Sequence, residues 1–386
     1  MRGKRIVGSM IAAVVSVALP TAAALAAEEA AATHWKRPPA PHRGQYSLRP
    51  SACKACHADQ HRDWSGSLHR RAVGPGLLAQ LDPKGDPATA ASCYFCHAPL
   101  PEQAEMTAGA RGEYAPNVAY DRTLEQTGVT CAVCHSRAGK IYGPQQRDGV
   151  KPVPAAGIKE PGHGGFTALD LFSDARFCAA CHQMDEGYSL NGKLLTNTYN
   201  EWKASPQARD GVVCQDCHMP DRRHLWRGIH DKEMTLSALS IEPAVEKDRY
   251  RLTIRNIGAG HYFPTYVTPM VEVKGYRVDA AGKMTQGSLR TGRIGRKVSL
   301  DLSVEEFDTR IAPGGEFVFS YPRAPARRGE KIIFEIWVYP DLFYADFFDH
   351  AIGRGGDGMK VDLLTQASKN GRASPYLLWK EERPAA

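Results

Sequence analysis

The sequence predicts an α+β fold in two parts. The first, over residues 51–234, is a mostly helical, loop-rich domain whose core is supplied by bound cofactors. The second, over 235–350, is a small antiparallel β-sandwich, followed by a C-terminal arm at 351–386. Two observations carry this division. All ten cysteines lie before residue 218, each in a C-x-x-C-H motif. After about residue 236, β-branched and aromatic residues instead alternate with polar ones between Gly, Pro and Asp-rich turns. The 386 residues suffice for two modest domains, and 42% hydrophobic with 24% charged residues is a globular composition.

The chain begins with Arg2, Lys4 and Arg5, then an apolar run over 6–25, then Ala24-Leu25-Ala26 before Glu28 and Glu29. That order is a Sec-type signal peptide over 1–26, which places the mature protein in the periplasm. An uncleaved anchor is the alternative reading, since the run is nearly long enough to span a bilayer. No later stretch reads as a membrane span. Residues 28–50, rich in Pro and Ala, form an extended lead-in holding His34 and His42.

The five motifs are Cys53/Cys56/His57, Cys93/Cys96/His97, Cys131/Cys134/His135, Cys178/Cys181/His182 and Cys214/Cys217/His218. An exported chain favours disulfides, and paired cysteines suit zinc. Neither needs a histidine after every pair. Two cysteines three apart project from one side of a helical turn, where they can capture two porphyrin vinyl groups as thioethers. The following imidazole then reaches the iron. Five motifs using every cysteine imply five covalently bound c-type haems, with His57, His97, His135, His182 and His218 as proximal ligands.

The motif histidines follow one another at intervals of 40, 38, 47 and 36 residues. Segments this short cannot wrap each cofactor separately, so the haems must pack against one another. Formal charge is +7. Without the signal peptide, and with ten propionates and five ferric cores, it falls to about −1, so the basicity is no evidence for a nucleic-acid partner.

Local signals predict short helices. Thr198 and Glu201 have capping-box spacing, with Pro206 ending the run. Segments 122–135 and 175–182 each deliver a motif from a helix end, and 162–165 is loop. Strands are predicted at 249–255, 270–278, 297–304, 316–321 and 331–339. The tail, 363–384, returns as a helix or an extended arm.

Five irons need sixth ligands. His69, His224, His230, His163 and His61 are the candidates, because they lie among the motifs. His61, four residues after His57, shares its helical face and could reach only a neighbouring haem. His261, after a glycine-rich turn in the β-region, is either a ligand crossing between domains or a hydrogen-bonded turn residue. Met184 and Met219 sit too close to proximal histidines to reach the other face of the same haem. Tyr46, Tyr188, Tyr199 and the aromatics of 341–348 line a pocket or pack against porphyrin edges.

The stretch CKACHADQHRDWSGSLH, with Trp64, Ser67 and His69, resembles the cytochrome c554-like multihaem cytochromes. So do CHAPLPEQ from Cys96 and the segment from Thr198 to Asp231. The likeness covers about 50–232, and GHYFPT from Gly260 resembles a β-domain appended in some relatives. It implies periplasmic electron carriers with closely stacked haems, related to hydroxylamine oxidoreductase and octahaem reductases, and makes His69 a distal ligand. The family's four-haem pattern, with one haem lacking a protein sixth ligand, does not map whole onto five motifs.

The expected function is electron transfer through closely packed bis-histidine haems in a respiratory chain, between a redox-protein donor and acceptor. The alternative is an oxidoreductase for a small nitrogen or sulfur species, of the nitrite, hydroxylamine or tetrathionate type, at one haem with an open position. A third role, compatible with the first, is partner docking through the β-domain.

Overall fold

The computed structural model describes residues 46–81, 86–109, 111–147, 163–325 and 327–385. The signal peptide, His34 and His42 lie outside the described residues. The architecture is mixed α+β. Among the described residues no helix is long and apolar enough to cross a membrane.

The motif region is built of short helices joined by turns. Proline opens several: Pro50 begins Pro50–Lys54, and Pro87 begins Pro87–His97, where Asp86 caps the Ala88 amide. The helix predicted over 122–135 is split into Arg122–Glu125 and Cys131–His135. The break falls at Gly128, where φ is +62° and an added Cβ would lie 2.6 Å from the His69 carbonyl oxygen. Only glycine permits that approach, and the Val129 amide then bonds the same carbonyl at 2.9 Å.

Two larger antiparallel sheets dominate the β-rich region. Arg290–Ile294, Met270–Val278, Lys331–Tyr339 and Tyr376–Pro384 form one, in that order. Glu316–Pro322, Arg249–Asn256 and Leu239–Val245 form the other. Alternate residues point inward. Val271, Val273, Ile332, Phe334, Ile336 and Val338 from the first sheet share one core with Leu252, Ile254, Phe319 and Tyr321 from the second.

Two sequence expectations change here. Residues 297–304 are not one strand: Arg296–Val298 pairs with Glu305–Asp308 across a turn. The polar residues of that alternating stretch bond the turn itself, with the Ser303 and Val304 amides donating to the Ser299 hydroxyl. The 351–386 segment is no separate arm. Its helix Val361–Arg372 packs on Leu342–Gly353 and on Pro75–Gln80 of the motif region, around Ala79, Phe348, Ala351, Leu364 and Ala367. Its strand Tyr376–Pro384 completes the first sheet against Lys331–Tyr339.

Candidate haem-binding site

Each motif closes a single turn. The His57 amide, for instance, bonds the Cys53 carbonyl at 2.9 Å, bringing both cysteines and the histidine to one side. No disulfide joins any of the ten cysteines. Among the described residues no three His, Cys, Asp or Glu side chains converge as a metal site by themselves.

The imidazoles instead stand in facing pairs. Ring centres are 6.5 Å apart for His57 and His163, 6.2 Å for His69 and His182, 6.2 Å for His135 and His224, and 6.4 Å for His218 and His261. The planes are inclined by 13°, 50°, 29° and 15° respectively. An iron held between two imidazole nitrogens, about 2 Å from each, sets ring centres about 6 Å apart.

The remaining ring nitrogens are engaged as metal-binding histidines engage theirs. Nδ1–H donates to a backbone carbonyl from His163 (Gly165, 2.7 Å), His135 (Tyr142, 2.8 Å), His224 (Arg222, 3.0 Å), His218 (Arg227, 2.7 Å), His261 (Tyr262, 2.9 Å) and His97 (Ala72, 2.8 Å). Each bond leaves Nε2 with its lone pair free. Burial lowers His69 to about 3, and His135 and His182 to about 4, so these rings are neutral donors. The donor set therefore fits c-type haem.

Neighbouring elements fix these rings. Trp64 donates to the Val129 carbonyl at 2.8 Å and anchors the loop that carries His69. Asp63 accepts from the His224 amide at 3.3 Å and pairs with Arg223 at 2.8 Å. Trp226 stands between two rings of different pairs, 4.7 Å from His69 and 5.1 Å from His224.

The structure sets His69, His163 and His224 across from motif histidines. It places neither His61 nor His230, the other two expected ligands, in such a position. His61 lies half-buried on the helix Ala58–Gly66, its ring beside Trp64 and Ser65. His230 commits its Nε2, the atom that would bind iron, to the Asp341 carboxylate at 3.0 Å. His261 takes a facing position instead. Its loop folds back over the motif region, where an added Cβ on Gly260 would meet Trp202, Gln207 and Ser205 at 3.2–3.3 Å. The signal in the sequence is that glycine, which allows the approach.

Glu201 also departs from its expected role. It makes no capping box with Thr198. Its carboxylate accepts from the Tyr262 amide (3.0 Å), the Thr265 hydroxyl (2.7 Å) and Arg310 (3.1 Å), tying the His261 loop to the motif region. His182 differs from the other motif histidines in having a side-chain partner: its Nδ1 lies 2.6 Å from the Tyr266 hydroxyl. His97 has no imidazole facing it among the described residues.

Cysteines of different motifs meet. Cys53 reaches Cys131, Cys178 reaches Cys214, and Cys96 reaches Cys181. Cys134 lies close enough to interact electrostatically with Cys178 and Cys181. The spatial order is thus first, third and fourth motif, with the second and fifth both joined to the fourth.

Comparison with known proteins agrees with this chemistry. A family model described as outer membrane cytochrome MtrC/MtrF-like, domains II/IV, matches residues 25–144. No curated protein matches. The crystal structure of a penta-heme cytochrome c552 from Thermochromatium tepidum shares the fold, with TM-score 0.58 and 19% identity over 86% of this chain and 97% of that one.

Proposed function

From the premise that the chain is a multihaem c-type cytochrome, we propose that it carries five covalent haems and conducts electrons along them in the periplasm, as part of a respiratory chain. The facing imidazole pairs carry this reading. The ten motif cysteines would hold the porphyrins as thioethers, and the five motif histidines would bind iron. His163, His224, His69 and His261, which face His57, His135, His182 and His218 respectively, would be the second iron ligands. When bound, the haem iron supplies the one-electron couple. The protein fixes ligand orientation, excludes water and sets the spacing. The solved neighbour, a penta-heme cytochrome, supports the count of five, and the cytochrome c554-like resemblance supports the carrier role.

The cysteine contacts give the route: His57 site, His135 site, His182 site, then a branch to the His97 and His218 sites. Cys56 and Cys217 are exposed, so redox partners exchange electrons near the His57 and His218 ends. The β-rich region contributes His261 and Tyr266 directly, which gives it a role in the haem sites besides any docking.

Intact mass and haem absorbance of the exported protein test this. The expected result is five haems per chain, all reducible and reoxidisable by a small redox protein. Fewer than five, or haems lost on denaturation, would count against it.

A second reading attaches to His97 alone. With no imidazole facing it among the described residues, its haem is the one suited to take a small nitrogen or sulfur species. Cyanide, nitrite or hydroxylamine should then perturb one-fifth of the ferric haem spectrum. A spectrum unchanged by all three would leave the carrier reading alone.

A further inference from the structure

The His182 imidazole begins a hydrogen-bonded chain that ends on a buried acid. As an iron ligand through Nε2, His182 must carry its proton on Nδ1, so it donates to the Tyr266 hydroxyl. Tyr266 stays a neutral phenol, since burial pushes it up to about 12. It hydrogen-bonds Thr198, whose hydroxyl lies 2.9 Å from that of Thr265. Thr265 donates to Glu201 at 2.7 Å. Thr198 and Glu201 sit three residues apart on one helix, so one helical face presents both ends of this segment.

Glu201 also terminates a ladder of alternating charges. Arg310 is 3.1 Å from Glu201 and 2.9 Å from Asp308. Lys193 bridges Asp308 at 2.9 Å and Glu305 at 2.8 Å, and Arg296 holds Glu305 at 2.7 Å. Three acids face three bases, so the ladder is neutral when Glu201 is ionised. The acids are not equivalent. Asp308 accepts two bonds from Arg310 and one from Lys193, so Arg310 remains matched if Glu201 gains a proton. Although burial works to raise Asp308, those cations hold it well below the carboxylate range. Burial raises Glu201 against its hydrogen bonds from Thr265, Arg310 and the Tyr262 amide. Tyr262 and Tyr266 are the other titratable groups near it, and Arg310 lies over the Tyr262 ring.

We propose that Glu201 is the redox-linked proton acceptor of the His182 haem site, coupled to it through Tyr266, Thr198 and Thr265. The inference rests on the reading of His182 as a haem ligand. Reduction brings one electron from a neighbouring haem. One proton from a solvent acid then forms an O–H bond on the Glu201 carboxylate, and the ladder passes from neutral to +1. Oxidation reverses both transfers. The sign follows: the ionised carboxylate strengthens the pull on the His182 N–H and favours the oxidised site, so reduction is easier at low pH.

Potentiometric titration of the holoprotein across pH, followed optically, tests this. One of the five potentials should fall as pH rises through a window above the ordinary carboxylate range. In Glu201→Gln that component should sit higher and no longer vary with pH. Glu201→Asp should restore the slope, which a purely structural role would not require. Tyr266→Phe cuts the chain while keeping the charge ladder, and should also flatten the slope. A slope that survives either Glu201→Gln or Tyr266→Phe overturns the proposal. Loss of one haem from the intact mass in His182→Ala reports on the underlying ligand reading separately.

Discussion

Replacing His261 with alanine will convert one of the four bis-histidine low-spin haems to a high-spin, five-coordinate form. His261 faces His218 at 6.4 Å with planes only 15° apart. It is half-buried, and its Nδ1–H is tied to the Tyr262 carbonyl, which fixes the ring's orientation. The loop is held by Glu201, whose contacts to Tyr262 and Thr265 survive the substitution. Four haems should therefore keep their spectra while one-fifth of the ferric signal becomes high-spin. The potential of that haem should shift with the loss of its axial ligand. His230→Ala is the matched control. Its Nε2 is occupied by Asp341, and the substitution should leave all spectra unchanged. A spectral change in His230→Ala, with none in His261→Ala, would reverse the assignment.

Replacing Arg296 with methionine will destabilise the protein by about 3–5 kcal/mol, the usual cost of leaving one member of a buried pair unmatched. Arg296 is fully buried. Its guanidinium bonds Glu305 and the carbonyls of Leu190 and Leu194, each at 2.7 Å, and that of Lys193 at 3.2 Å. It thus plugs the hairpin of Ser189–Leu190 and Lys193–Leu194 onto the β-rich region. Methionine would fill the space but orphan three carbonyls and half of the Glu305 carboxylate. Urea unfolding of the holoprotein measures the loss, and proteolysis within 189–194 should accelerate. The neighbouring exposed pair, Lys297 with Glu306 at 2.8 Å, is the comparison. Lys297→Met should cost under about 1 kcal/mol. Equal effects from the two substitutions would contradict the role given to burial.

What the sequence made legible follows from range. The C-x-x-C-H motifs are local: their geometry is set within one helical turn, so spacing alone identifies them. The inward alternation of 331–339 is equally local, and the strand forms there. Sixth ligands are a tertiary matter. Nearness in sequence to a motif does not bring His61 across from one, because the helix Ala58–Gly66 turns Asp63 and Trp64 inward and leaves His61 only half-buried. His261, more than forty residues beyond the last motif, arrives because a glycine lets its loop settle on two helices. The Thr198/Glu201 spacing matched a capping box, yet a buried arginine and a threonine on a distant loop claimed the carboxylate. At 297–304 the hydrophobic alternation matched a strand, but Ser299 bonds the backbone, and Leu302, with φ +57°, turns the chain.

Electron paramagnetic resonance of the fully oxidised protein, with the signals counted per molecule, tests the account most directly. Four low-spin signals of bis-histidine type per chain, from the pairs His57–His163, His135–His224, His69–His182 and His218–His261, are the predicted result. Fewer than four would contradict it.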